Sequence, residues 1–171
     1  TIGGNICTAS PAGDALPCLY AAGAEVELTS RLSVRRLGIG EFIRGPGRTA
    51  LEAGEILTAV IVPENPEFGL RHFEKVGRRQ ALAIAVVSLA ALIRLDAGGT
   101  VLDVRLAYGS VGPTVVLAGA ASEFLVGRRL DAATLQRAGE FVRDAIHPQD
   151  DLRATAAYRS EVAANLLRRL C

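Results

Sequence analysis

Hydrophobic and polar positions change rhythm along the chain. Over 24–28 apolar and charged residues alternate, as Ala-Glu-Val-Glu-Leu, which is the period of a half-buried strand. Residues 33–37 predict a second strand. Residues 56–62 form a β-branched run closed by Pro63 and predict a third; 70–75 predict a fourth. The stretch 81–95 is almost continuously apolar, so period alone does not separate helix from strand. Its sequel decides. Asp96-Ala-Gly-Gly99 is a hairpin turn and 100–108 alternates clearly, so at least 86–95 must be extended to pair with it. Gly109 to Pro113 breaks the sheet. Beyond it the period becomes helical, over 118–126, 131–146 and 151–170. Asp131 is placed to cap the second of these. Asp150 and Asp151 are placed to open the third, where negative charge meets the positive end of the helix dipole. A shorter helical segment over 15–22 opens near Pro17. Residues 38–47 read as loop, with a turn at Gly45-Pro46-Gly47, and 64–67 read as a linker. The predicted fold class is α+β: a mixed first portion over 1–65, then an antiparallel sheet with C-terminal helices over 66–171.

The first fourteen residues, TIGGNICTASPAGD, carry no hydrophobic period and predict neither a regular helix nor a half-buried strand. Gly3 and Gly4 let backbone N–H groups approach an anion. Thr1, Asn5, Thr8 and Ser10 add short polar side chains. Asp14 suits a ribose hydroxyl or an amino group and would repel a phosphate. One reading is a loop wrapped around a nucleotide, with pyrophosphate at Gly3-Gly4 and a sugar or base near Asp14. The other is a Gly-Asn turn followed by a Ser-Pro turn.

Composition narrows the field. Half the residues are hydrophobic and only 5% aromatic, so Ala, Leu, Val and Ile must build the core. The net charge of +1 points to neither nucleic acid nor an anionic membrane. The longest apolar run is too short to span a bilayer as a helix. Cys7, Cys18 and Cys171 are scattered, which suits reduced thiols in a cytoplasmic protein and argues against an iron–sulfur cluster within this chain. Of 19 basic residues, Lys75 alone is lysine. The chain contains no methionine and reads as a piece of something longer.

TIGGNICTASPAGD resembles the second flavin loop of the FAD-binding (medium) subunit of the molybdenum hydroxylases, the group of xanthine dehydrogenases, aldehyde oxidases and carbon monoxide dehydrogenase. FEKVGRR, AYGSVGPT and the DDLR…YR segment resemble the C-terminal domain of the same subunits. The resemblance therefore covers nearly the whole chain. It implies the second lobe of a FAD-binding domain over 1–65 and a flavoprotein C-terminal domain over 66–171, with the first flavin lobe missing. By matching position it places Thr1, Ile2, Gly3, Gly4 and Asn5 along the FAD pyrophosphate and Asp14 on the nucleotide portion. It places Ile56 and Leu57 beside the flavin ring, where composition alone reads them as core. It places Lys75 near the isoalloxazine, against the alternative of a surface lysine at a strand end. A cation there would stabilise a reduced, anionic flavin. The chain departs from the family at Gln80-Ala81-Leu82-Ala83, where acidic residues are common; this bears on whether NAD is the acceptor.

The implied function is electron transfer through FAD, from iron–sulfur clusters to an acceptor, within a complex. Its partners would be a molybdopterin-binding large subunit and an iron–sulfur small subunit with [2Fe-2S] clusters. No residue is assigned as catalytic and none as a metal ligand. The rival is an assembly module that docks to partner subunits without holding flavin alone; an unrelated nucleotide-binding domain is a third reading. His72 and His147 lack partners at catalytic or metal-ligating spacing and read as structural. Glu25 and Glu27 read as solvated; Arg35 and Arg36 read as a solvated strand edge, against the alternative that they face an anion, and Arg78 and Arg79 as surface pairing, against contact with a phosphate or a partner subunit.

Overall fold

The computed structural model describes residues 1–79 and 81–171. Gln80, and with it part of the expectation about the 80–83 segment, lies outside the described residues.

The first fourteen residues overturn the expectation of a loop. Residues Ile2–Thr8 form a helix, α1. Thr1 caps it: its Oγ1 accepts the Gly4 N–H at 3.0 Å, and its carbonyl accepts the Asn5 N–H. Ile6 is the one residue that α1 buries, and two turns with a single buried position are too short to display a period. Ala9, in the left-handed region at φ 47°, ends the helix ahead of Pro11. The second helix, α2 (Leu16–Ala22), opens with Pro17 in its first turn and closes on Gly23 at φ 69°. These two are followed by β1 (Glu25–Thr29), β2 (Val34–Gly38), the single-turn α3 (Ile39–Phe42), β3 (Ile43–Gly45), β4 (Arg48–Thr49) and β5 (Ile56–Ile61). The turn at Gly45–Gly47 joins β3 to β4 as expected, but α3 lies where only loop was expected. Its ends are fixed by Glu41, whose Oε2 accepts the Gly38 N–H at 3.0 Å, and by burial of Ile39 and Phe42.

Strands β2, β1 and β5 form an antiparallel sheet in that order. A second, separate antiparallel sheet has the order β6 (Leu70–Gly77), β7 (Ala85–Leu95), β8 (Val101–Gly109) and β9 (Val116–Leu117). The β7–β8 hairpin is the predicted one, with Ile93 opposite Val104 and Leu89 opposite Tyr108. Helices α4 (Gly119–Leu125), α5 (Ala132–Ala145) and α6 (Ala156–Leu166) follow, with a 3-10 turn over Leu167–Leu170. Asp131 caps α5 as expected, accepting the Thr134 N–H at 2.8 Å. The last helix starts later than expected. Thr155 caps it, Asp150 accepts the N–H of Ala156, and Asp151 is diverted to Arg159 and to the N–H groups of Arg153 and Ala154.

The period of two along β7 and β8 sorts residues into two cores. Val87, Leu89, Ala91 and Ile93, with Val104, Leu106 and Tyr108, face α4, α5 and α6. Ala90 and Ala107 face the other way, where small side chains let α2 lie against the strands. The second core is completed by Ile6, Leu16, Leu19, Val26, Leu28, Ile39 and Phe42 from the first portion. The central hairpin is thus buried on both faces, which explains the nearly continuous apolar sequence over 85–95; Leu82 and Ile84, just before it, are exposed.

Candidate functional site

The glycine turn is built by a cap. The Thr1 hydroxyl satisfies the Gly4 N–H, while the N–H groups of Ile2 and Gly3 stand in the first helical turn, where the helix itself offers no acceptor. A Cβ on Gly3 would meet the Leu57 side chain at 3.8 Å, so α1 lies against β5 at that point. A Cβ on Gly4 would come within 3.0 Å of the Thr1 hydroxyl and crowd the cap. On β5, Ile56 is 65% exposed, while Leu57 is half-buried against the second core. Ile2 is exposed as well. The structure therefore sets first-turn N–H groups and the exposed Ile2 at the glycine pair with Leu57 packed against Gly3, while the exposed Ile56 lies on the other face of β5.

Asn5 connects this end of α1 to the following loop, its Oδ1 accepting the Ala15 N–H at 3.3 Å. Between them the loop folds on itself: Ser10 Oγ accepts the Ala12 N–H, and the Ser10 carbonyl accepts the Gly13 N–H. Asp14 then meets Lys75. The Lys75 ammonium donates to Asp14 Oδ2 at 2.7 Å and to the Ala83 carbonyl at 3.1 Å. Two residues placed separately in the sequence thus form one ion pair between the first portion and β6. Lys75 stands at neither a free strand end nor an open surface: its side chain is 27% exposed.

Next to this pair lies a cleft of about 390 Å³. Asn5, Ser10, Pro11, Ala12 and Gly13 form one wall, Ile84, Ala85, Ser110, Gly112 and Pro113 another, and 149–151 with Arg153 and Arg159 close it. Its floor is Arg159, whose side chain is only 5% exposed. The guanidinium donates from Nη1 to the carbonyls of Val86 at 2.6 Å and Ser110 at 3.1 Å, and from Nη2 to Asp151 Oδ1 at 2.7 Å. The Asp151 carboxyl is held far below the usual carboxylate range, first by the backbone N–H of Arg153, then by Ala154 and Arg159. Ser110 takes a left-handed φ of 64°, and its N–H donates to the Pro11 carbonyl at 2.9 Å. The buried arginine thus braces the turn that supports the Ser10–Asp14 loop. Sequence reasoning did not assign Ser110, Asp151 or Arg159 to the site. One signal was available: Arg159 shares the buried stripe of α6 with Ala163 and Leu166, where an arginine is out of place without partners.

The remaining sequence candidates are ordinary. His72 lies 3.3 Å from Glu74, and Arg36 pairs with Glu27. Arg78 and Arg79 donate to the carbonyls of Leu152 and Leu82. Arg35 is no solvated edge: it grips Glu55 with two hydrogen bonds at 2.7 and 2.8 Å and also reaches the Ala50 carbonyl. Among the described residues no group of His, Cys, Asp and Glu could hold a metal ion, and no helix is long and apolar enough to cross a membrane. The three cysteines are free thiols.

A dinucleotide with a flat apolar ring fits this donor set. Unpartnered N–H groups suit a pyrophosphate, Ile56 and Ile2 offer apolar surface, and Asp14 and Lys75 offer polar contacts. Residues 1–65 match the FAD binding domain in molybdopterin dehydrogenase, and residues 71–171 match the CO dehydrogenase flavoprotein C-terminal domain. The chain is 30% identical to the nicotinate dehydrogenase FAD-subunit of Eubacterium barkeri over 99% of its own length and 58% of the relative's. It is 31% identical to the carbon monoxide dehydrogenase medium chain of Afipia carboxidovorans, with the same coverage of each chain. Among solved structures it superposes on a chain of the Cu,Mo-CO dehydrogenase, cyanide-inactivated form, with a TM-score of 0.91 and 31% identity, covering 99% of this chain and 58% of that one. Quinoline 2-oxidoreductase from Pseudomonas putida 86 gives 0.92 at 28% identity with equal coverage. The chain therefore belongs to the CO dehydrogenase flavoprotein C-terminal domain family through residues 71–171, and carries before it, over residues 1–65, a FAD binding domain of the molybdopterin dehydrogenase type.

Proposed function

We propose that this chain is the C-terminal part of a FAD-holding, electron-transferring subunit of a molybdenum-containing dehydrogenase. The observation that carries the reading is the succession of the two family matches, over residues 1–65 and 71–171, with the glycine turn and the Asp14–Lys75 pair falling inside them. In this reading Thr1, Ile2, Gly3, Gly4 and Asn5 hold the pyrophosphate, Asp14 serves the nucleotide, and Ile56 and Leu57 flank the ring. Lys75 supplies positive charge beside it. Bound FAD would accept electrons from the iron–sulfur side and release them to an acceptor. The protein's share is to bind and orient the ring and to set the charge around it.

The reading also divides the chain near Pro63–Pro66, where β5 and β6 belong to separate sheets. It includes a molybdopterin-binding large subunit, an iron–sulfur small subunit, a further flavin lobe and a place in the cytoplasm. The support is the kinship with a medium chain, the three free thiols, and the fact that the chain spans only 58% of such relatives. Titration with FAD tests it. The 171-residue chain is expected to bind FAD weakly, because charge-assisted hydrogen bonds are worth about 1.5–3 kcal/mol each and a second lobe would supply several more. The assembled protein is expected to show the flavin absorption bands after purification. An assembled protein without flavin that takes up none on titration would favour the docking module instead.

A further inference from the structure

Asp14 and Lys75 come from opposite sides of the cleft. Asp14 follows Gly13, which lines one wall, and the second acceptor of Lys75 is the carbonyl of Ala83, which precedes Ile84 on the other. The connector is already drawn tightly to β6 at this point: a Cβ on Gly77 would lie 2.6 Å from the Ala83 Cβ. One ammonium therefore joins three segments: the loop after α1, strand β6 and the approach to β7. The compact ammonium on a flexible stem suits two acceptors on different segments better than a planar guanidinium does. Lys75 is the one lysine in a chain that otherwise uses arginine for every cation.

The pair does little for folding stability. The Asp14 side chain is 51% exposed and that of Lys75 27%, and ion pairs so open to solvent add little to stability. Its effect is on position and on charge. We infer that Asp14 and Lys75 act as a single strap beside the cleft, holding the loop that carries its one wall against the connector that leads to the other, and that the pair presents the ring of the proposed FAD with a paired cation instead of a free one. This rests on the FAD reading above and goes beyond it. Two independent contacts to a cofactor would act separately, whereas a strap is lost whole when either half is removed. Neither residue performs the chemistry; both are positioning residues, and the pair sets how much of the lysine's charge is left uncompensated.

A mutant cycle on the assembled, flavin-loaded protein tests it, with D14N, K75Q, the double variant D14N/K75Q and K75R. Each neutral single variant is expected to lose FAD affinity by about tenfold. The double variant should lose no more than the worse single one, because both substitutions remove the same contact. K75R, which keeps the charge and can reach the carboxylate but serves the two acceptors less well, should recover only part of the affinity. The flavin reduction potential gives a readout that loose packing would not. Removing the carboxylate leaves an uncompensated cation and should move the potential up. Removing the ammonium leaves an uncompensated anion and should move it down, and the double variant should return it toward the parent value. Losses of affinity that add in the double variant, or single variants that both retain flavin unchanged, overturn the strap while leaving FAD binding at the glycine turn intact. A parent protein that holds no flavin under titration overturns both.

Discussion

The β7–β8 hairpin and the α1–α2 region lie against each other, yet different forces hold them. The hairpin is long, buried on both faces and stitched by eight registered partners between Ser88 and Leu95. Its place is fixed by apolar area, at roughly 25 cal/mol per Å² removed from water. The α1–α2 region is short and rich in glycine and small polar residues. Its place is fixed by a cap at Thr1, a side-chain bond from Asn5 and an ion pair at Asp14. It also borrows its core, since Ala90, Ala107 and Val115 of the second portion close the cluster around Ile6 and Leu16. The rigid half supplies a surface, and the half with the candidate site is laid upon it with exposed N–H groups still free. A cofactor site needs that incompleteness, because groups satisfied internally have nothing to offer a ligand.

The comparison breaks if the two regions unfold independently. Leu89→Ala, at a fully buried position on the hairpin, should cost about 2–5 kcal/mol and lower the melting temperature of the whole chain in one transition. Leu28→Ala, equally buried on β1, should cost a similar amount but act locally. In that variant the amides of β1, β2 and β5 should exchange faster while those of β7 and β8 stay protected. Protection of β1 that survives opening of the hairpin would show that the first region does not depend on the borrowed wall.

A smaller effect is expected at the brace between them. Arg159→Leu leaves the Val86 and Ser110 carbonyls and the Asp151 carboxylate without their donor, and should cost about 3 kcal/mol. Arg143→Ala removes an exposed pair with Glu161 and should cost less than about 1 kcal/mol. The difference between the two, read from urea denaturation midpoints, measures how much the buried brace contributes. Equal midpoints would mean that the loop carrying Asp14 is held without it.

The same contrast explains what could be read from the sequence. The second portion was legible because long elements repeat their period many times. The alternation over 100–108, the turn at Asp96–Gly99 and the cap at Asp131 each point to what is observed. In the first portion the physics is local and two-body. Ile2–Thr8 was missed as a helix because a single buried residue makes no period, although Thr1 three residues before Gly4 is a capping arrangement. Residue chemistry alone raised Thr1, Gly3, Gly4, Asn5 and Asp14 as one of two readings, whereas Ile2, Ile56, Leu57 and Lys75 were reached only through the family motif. That Asp14 meets Lys75 could not be read from a separation of 61 positions, nor could the burial of Arg159 against turns from two other segments. Long-range partners of single charged residues depend on the finished fold, not on pattern.

The smallest effect sharpens the comparison through pH. In the first portion the Glu55 carboxyl is held down to about 2, mainly by its two hydrogen bonds from Arg35 and then by the Glu52 N–H. In the second portion the carboxyls of Asp96, Asp131, Asp151 and Glu161 are also held low, by backbone N–H groups at the three aspartates and by Arg143 at Glu161. A group whose folded pKa is depressed is protonated first in the unfolded chain. Its stabilisation is therefore present above its ordinary value of 4.5 and is lost progressively as the pH falls toward about 2. Glu55→Gln removes that dependence from the first portion alone. Between pH 5 and about 2.5 the parent protein should lose protection in β1, β2 and β5 more steeply than the variant does. The amides of β7 and β8 should respond to acid alike in both proteins, because their acid sensitivity comes from carboxylates that the substitution leaves in place. If Glu55→Gln instead flattens the acid response of the hairpin, the two portions share one electrostatic fate, and the first is coupled to the second more tightly than a borrowed apolar wall requires.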